Sequence, residues 1–280
     1  MEIRIGDTGL EELIDRMCVR HRLENWITVG LCLISVLGCA PAPSENPPES
    51  ASSTVVFVHG AWGGGWQYTR VQPLLERAGH RVFRPTMTGL GERVHLAGPE
   101  VGLSTHIEDI VKVLEFEDLR EVVLVGHSYG GMVIAGVAEK VPKRIARLVY
   151  FDAFLPENGD SVASLAGDAI DTMATAGGGG AEPWQLVPAW VEEGELPPVD
   201  VPQPILTFTE SITLENPAAA GLPAVFLLTT EAGKEADDFD VFAARARARG
   251  WHVFEMEGGH NPHWFQPENF VVVLTGILQS

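Results

Sequence analysis

The stretch Val122-Val123-Leu124-Val125-Gly126-His127-Ser128-Tyr129-Gly130-Gly131-Met132, continuing in helix-forming residues to Lys140, decides the architecture. An apolar run with strand character reaches a turn bounded by glycines and passes directly into a helix. Small residues at both ends let the backbone turn tightly enough to lift a serine hydroxyl above the sheet. The pattern G-x-S-x-G is weak alone, but between a strand and a helix it becomes a setting for a nucleophile. Ser128 is therefore the candidate nucleophile.

Upstream, Val55-Val56-Phe57-Val58-His59-Gly60-Ala61-Trp62-Gly63-Gly64-Gly65-Trp66 reads as a buried strand entering a glycine-rich loop. Such a loop brings backbone N–H groups close to a substrate oxygen, and with the N–H after the serine it forms an oxyanion hole. Ala61 and Tyr129 are the expected main-chain donors. The loop has neither G-x-G-x-x-G nor G-x-x-x-x-G-K-[ST] spacing, which disfavours phosphate binding.

Downstream, the strand candidate Trp251 to Met256 leads into Glu257-Gly258-Gly259-His260-Asn261-Pro262-His263. A histidine in a glycine-rich loop after a late strand can reach the serine as general base. His260 is the first choice and His263 its competitor, because Pro262 separates them and one alone can align. His127 is expected to point away from the serine's side of the turn, His59 belongs to the oxyanion loop, and His80 and His252 begin strands. No pair has zinc-like spacing with a supporting cysteine, so neither metal nor cofactor is expected.

A serine triad also needs a carboxylate to fix the imidazole tautomer and stabilise the imidazolium. Two positions qualify. Asp152 stands at the end of Arg147-Leu148-Val149-Tyr150-Phe151-Asp152, and Glu231 follows the strand candidate Ala224 to Thr230. Asp152 is preferred and Glu231 is the alternative, with Asp237 and Asp238 further behind.

Strand candidates at 55–58, 81–84, 122–125, 148–151, 224–228 and 251–256 alternate with helices at 71–78 and 238–249 and with one opened by a capping box, Thr105-His106-Ile107-Glu108. That alternation requires an α/β fold with a mostly parallel, doubly wound sheet. From 157 to 221 it breaks into prolines, the glycine run 177–180 and short apolar pieces, read as a small inserted cap over Ser128. Trp62, Phe154, Trp184, Trp190 and Phe208 are candidate walls of a substrate pocket.

Four blocks carry a family resemblance: Phe57 to Trp62, Gly89-Leu90-Gly91-Glu92-Arg93, Gly126 to Met132, and Asp152-Ala153-Phe154-Leu155-Pro156. Over residues 54–280 the chain resembles α/β-hydrolases of the group containing plant methylesterases, hydroxynitrile lyases and small bacterial esterases. The resemblance implies a serine hydrolase that cleaves a carboxylic ester of a small molecule through an acyl-enzyme, or, as the alternative, an amide or carbamate. The plant methylesterases carry their acid near Glu231 and Ala232, whereas Tyr150 to Ala153 is similar to the acid-bearing segment of some haloalkane dehalogenases. The related hydroxynitrile lyases have a lysine beside the histidine and a threonine in the oxyanion loop, where this chain has Asn261 and Gly60. Cyanohydrin cleavage and a noncatalytic binding role are accordingly disfavoured.

The 280 residues are 45% apolar and 20% charged, enough to bury a substantial core. A net charge of −19 without basic clusters excludes nucleic acid as an expected partner. The cysteines, Cys18, Cys32 and Cys39, all precede the hydrolase region, which excludes a disulfide inside it. Arg20 and Arg22 followed by an apolar run to Gly38 and Cys39 form a signal-peptide arrangement that resembles a bacterial lipoprotein signal. Residues 1–39 are therefore expected to be a signal region with translation starting at Met17 and lipid on Cys39, and 40–53 a Pro/Ser-rich tether. Such a chain would be exported and would touch a membrane of the cell envelope through Cys39.

Overall fold

The computed structural model describes residues 52–167, 182–231, 233 and 238–280. The signal region with Met17 and Cys39, nearly all of the tether, the glycine run 177–180 and Asp237 lie outside the described residues. In chain order the strands are β1 (Thr54–Val58), β2 (Arg81–Phe83), β3 (Val122–Ser128), β4 (Ile145–Ala153), β5 (Gln185–Leu186), β6 (Gln203–Pro204), β7 (Ala224–Thr230) and β8 (His252–Glu257). Flanking helices are α1 (Gln72–Arg77), α2 (Leu103–Phe116), α3 (Gly130–Lys140), α4 (Asp240–Ala248) and α5 (Pro267–Gln279).

Six strands form one parallel sheet in the order β2-β1-β3-β4-β7-β8. The chain begins inside the sheet, moves to one edge, then crosses back past β1 to build towards the other edge. Reversal at the β1–β3 pair puts helices on both faces and opens a crevice beyond the carboxyl ends of those strands.

Burial on both faces explains why the central strands read as continuous apolar runs rather than alternating ones. Val56, Val58, Leu124, Tyr150, Phe226 and Leu228 face the layer holding Ile110 of α2, Met132 of α3 and Phe242 of α4. Their neighbours Val55, Phe57, Val125, Phe151 and Leu227 face the other layer, with Leu75 of α1 and Phe270, Leu274 and Ile277 of α5. Each fully buried Leu, Ile or Phe of this kind contributes about 1.5–3 kcal/mol through area removed from water.

Two sequence expectations are corrected. Helix α2 starts at Leu103, so Thr105 sits inside the first turn instead of capping it; its Oγ1 accepts the Gly102 N–H at 3.3 Å. The cap comes from far along the chain: the Glu210 carboxylate accepts the Ser104 N–H at 2.9 Å, where a negative charge complements the helix dipole. Helix α5 was not anticipated, although Phe270, Leu274 and Ile277 carry its buried stripe. Among the described residues no helix is long and apolar enough to cross a membrane.

Candidate active site

Ser128 ends β3 with φ of 54°, a left-handed backbone that a side-chain-bearing residue rarely adopts. The turn into α3 is tight enough that a Cβ on Gly130 would lie 2.5 Å from the Val58 carbonyl oxygen. Between β3 and β4 the register slips at this point: His127 pairs with Phe151 but Ser128 pairs with Ala153. Asp152 is the residue left over, and it too has positive φ, 42°. A bulge of this kind re-aims one side chain out of the normal alternation. One irregularity therefore presents both the serine and the carboxylate at the end of the sheet.

His260, in the loop after β8, is held on three sides. Its Nδ1–H donates to Asp152 Oδ2 at 2.5 Å. The ring stacks on Phe239 at 4.9 Å with planes 5° apart. Its carbonyl accepts a hydrogen bond from His127 Nε2 at 2.9 Å. Asp152 is fully buried, and its other oxygen accepts the Thr229 N–H at 3.1 Å. With Nδ1 engaged, Nε2 is the ring nitrogen of His260 left to take a proton, and His260 and Ser128 line one cavity of about 620 Å³.

The competing candidates have different surroundings, although His263 lines the same cavity. His263 is fully buried, its ring stacked on Tyr68 at 4.9 Å, and burial lowers its pKa to about 3. Glu231 adjoins the backbone of Gly259, where a Cβ would lie 2.8 Å from its Oε1, while Asp152 occupies Nδ1 of His260.

The loop after β1 lies directly on the serine. A Cβ on Gly60 would sit 3.3 Å from Ser128 Cβ and 2.9 Å from His127 Nδ1. Ala61 lines the cavity, whereas the next N–H, that of Trp62, is taken by Gln203 Oε1 at 2.6 Å. Tyr129 is buried and its hydroxyl donates to His106 Nδ1 at 2.9 Å; His106 Nε2–H in turn donates to the Thr88 carbonyl at 2.9 Å. The residue that follows the serine is thereby anchored from beneath.

Of the anticipated walls, Trp62 and Trp190 line the cavity, their rings in an edge-to-face pair at 5.0 Å. Phe154 instead packs edge-on against Phe239 and Phe242, at 5.4 and 5.3 Å, behind the ring that supports His260. Trp184 is engaged through its carbonyl with the Ile205 N–H at 2.8 Å and does not reach the cavity wall. Phe208 stacks against Trp62 at 5.4 Å from behind. His127, expected to face away, packs 4.5 Å from the His260 ring and joins the wall. Trp66, Gln67, Asp200 and Trp264 also line it and were not singled out from sequence. Among the described residues no group of three or more histidine, cysteine or carboxylate side chains has metal-holding geometry.

Among the described residues five histidines are buried; burial lowers the pKa of His80, and four others are held more deeply as neutral rings. Desolvation lowers the pKa of His59 and of His106 to about 4, that of His263 to about 3, and that of His127 well below the ordinary range. In the unfolded chain each takes up a proton as pH falls through about 6.5. The unfolded state therefore binds more protons below that point, so stability is full above it and declines as pH falls towards 4, by about 1.4 kcal/mol per unit for each histidine. The urea midpoint at mildly acidic pH is expected to lie well below that at neutral pH; equal midpoints would contradict neutral burial.

Residues 55–273 match the alpha/beta hydrolase family. The chain is 40% identical over 223 residues to the carbendazim hydrolyzing esterase of Nocardioides sp. (strain SG-4G), covering 74% of this chain and 91% of that one. It is 31% identical over 142 residues to methylesterase 8 of Arabidopsis thaliana, about half of each chain. Among solved structures, an extracellular alpha/beta-hydrolase from a Paenibacillus species superposes with a TM-score of 0.67 at 23% identity, over 80% of this chain and 98% of the other. These relatives support an esterase or hydrolase built on this fold. By the extent of that family match, by its similarity to the Nocardioides esterase and by its six-stranded sheet, the chain belongs to the alpha/beta hydrolase family.

Proposed function

We propose that the protein is a serine-dependent carboxylic ester hydrolase acting on a small molecule through an acyl-enzyme. The observation that carries this reading is the His260 Nδ1–Asp152 Oδ2 hydrogen bond of 2.5 Å beside the strained turn at Ser128. His260 Nε2 takes the Ser128 proton as Oγ bonds to the ester carbonyl carbon, and the carbonyl pair moves onto oxygen. The Ala61 and Tyr129 N–H groups receive that oxyanion. Collapse breaks the bond to the alkoxy oxygen, which leaves with the proton from His260. Water then gives a proton to His260 and attacks the acyl carbon; collapse breaks the bond to Oγ, which takes that proton from His260 as the acid leaves. Buried Asp152 holds the imidazole tautomer and stabilises the imidazolium.

An ester is the favoured substrate because an alcohol leaves with less protonation than an amine requires. An amide or carbamate is the second reading; the relative 40% identical to this chain is named as an esterase that hydrolyses carbendazim. We also propose export: the apolar run ending at Cys39 supports a lipoprotein-type leader that would tether the enzyme to the cell envelope. A fluorophosphonate probe is expected to add its mass to the tryptic peptide containing Ser128 in the wild type and to leave Ser128→Ala unlabelled. Absence of label in the wild type would overturn the serine mechanism.

A further inference from the structure

The cavity at Ser128 has a polar end whose chemistry the hydrolytic reaction does not use. Asp200 lines it, partly buried, with Oδ2 accepting the indole N–H of Trp190 at 2.9 Å. Gln67 Nε2 approaches Asp200 Oδ1 at 3.5 Å. In this orientation the amide turns its N–H rather than its oxygen towards the carboxylate. Gln67 is only 9% exposed, and its Oε1 has no hydrogen-bond partner among the described residues. The backbone of Gly63 packs so tightly on this amide that any Cβ there would collide with it. The amide is thus held in place beside the carboxylate.

This end of the cavity offers acceptors: a carboxylate with unused lone pairs and an orphaned amide oxygen. A buried acceptor without a partner is costly, and a ligand donor removes the cost. Of the donors nearby, Trp190 gives its N–H to Asp200, whereas Trp66 Nε1 is buried beside Gly64 without a hydrogen-bond partner among the described residues. The unpartnered ring of His263 is enclosed by Tyr68, His127 and Phe151, 4.9, 4.6 and 5.4 Å away. Glu195 adds a second carboxylate at the mouth, and the described wall contains no lysine or arginine. Burial raises the pKa of Asp200 while the Trp190 hydrogen bond opposes the rise.

The flanks are flat aromatic surfaces. Two edge-to-face tryptophan pairs line the cavity, Trp62 with Trp190 at 5.0 Å and Trp66 with Trp264 at 5.2 Å and 88°, and Arg70 covers one face of Trp264 at 4.1 Å. Ring faces of this kind stack on planar groups and attract cations. We infer that Asp200 and Gln67, which share the cavity wall with these tryptophans, form a recognition subsite for a planar aromatic group bearing an N–H or ammonium donor, carried by the substrate beside its scissile bond. This rests on the reading of the cavity as an ester-hydrolase site. Specificity follows from polarity: an aromatic group with an oxygen acceptor at the same place meets the carboxylate and the amide oxygen with no proton between them.

The methyl esters of an indole carboxylic acid and of the matching benzofuran carboxylic acid differ only in N–H against O, and two positional isomers of each cover the reach of the subsite. Calorimetric titration of the Ser128→Ala protein reads binding without turnover, beside kcat/KM on the wild type. At least one indole ester is expected to bind about 10- to 100-fold more tightly than its benzofuran partner, the range for a hydrogen bond to a charged group. Adding Asp200→Asn is expected to bring that ratio close to one. Because the ratio compares two ligands on the same protein, general loss of folding does not imitate the result. Equal binding of every pair, or a preference that survives Asp200→Asn, overturns the subsite whatever the hydrolysis shows. A selective pair that the wild type does not hydrolyse upholds the subsite and sinks the ester reading.

Discussion

Ser128→Ala is expected to lower kcat for short-chain p-nitrophenyl esters by about 10⁶-fold, the scale seen when a triad nucleophile is removed. The argument is geometric as well as chemical. The left-handed backbone at Ser128 is a strain that the surrounding glycines and β3–β4 pairing must hold, and such strain persists where it positions a group. Alanine keeps the backbone and removes only the hydroxyl, so the urea midpoint is expected to stay near the wild-type value. The check is a steady-state assay with the alanine protein purified to exclude wild-type carry-over. A residual rate within about tenfold of wild type would remove Ser128 from the chemistry.

The second large effect belongs to the acid. Asp152→Asn is expected to cost about 10⁴-fold in kcat, because an amide in place of Oδ2 can present a donor to Nδ1 and so favour the wrong tautomer of His260. Glu231→Gln is expected to stay within about threefold of wild type, since Nδ1 is already occupied and Glu231 meets the backbone of Gly259 instead. Measuring both variants on one substrate separates the assignments. Collapse of Glu231→Gln with survival of Asp152→Asn would reverse them.

Much of this site was readable where its information is local. The serine turn needs a strand, small residues and a helix in succession, and all of them lie between Val122 and Lys140. The two candidate acids both stood at strand ends, and position along a strand could not choose between them. What favours Asp152 is the second of two slips between β3 and β4, the one at His127 and Ser128, and a slip of one reverses which side every later side chain faces. No pattern of hydrophobic residues encodes that slip. The walls of the cavity were harder still. Gln67 and Asp200 are 133 positions apart, and Asp200 lies in a proline-rich stretch without periodicity, so only tertiary packing brings them together. Helix α5 was missed for a different reason: Phe270, Leu274 and Ile277 have helical spacing, but they follow the conspicuous histidine loop, which drew the reading instead.

Trp62 is bonded at both ends of its peptide to the segment that follows β4: its N–H to Gln203 Oε1 at 2.6 Å and its carbonyl to the Val201 N–H at 2.8 Å, with its indole held by the Leu186 carbonyl at 3.1 Å. The neighbouring residue is Ala61, so the cavity wall and the strap proposed to receive the oxyanion are mechanically one part. A molecule too bulky for the cavity cannot push that wall outward and still find the strap in place. On the proposed mechanism, size selection would then be written into the rate of bond breaking as well as into binding, and an ill-fitting ester would occupy the enzyme as a bystander rather than as a slow substrate.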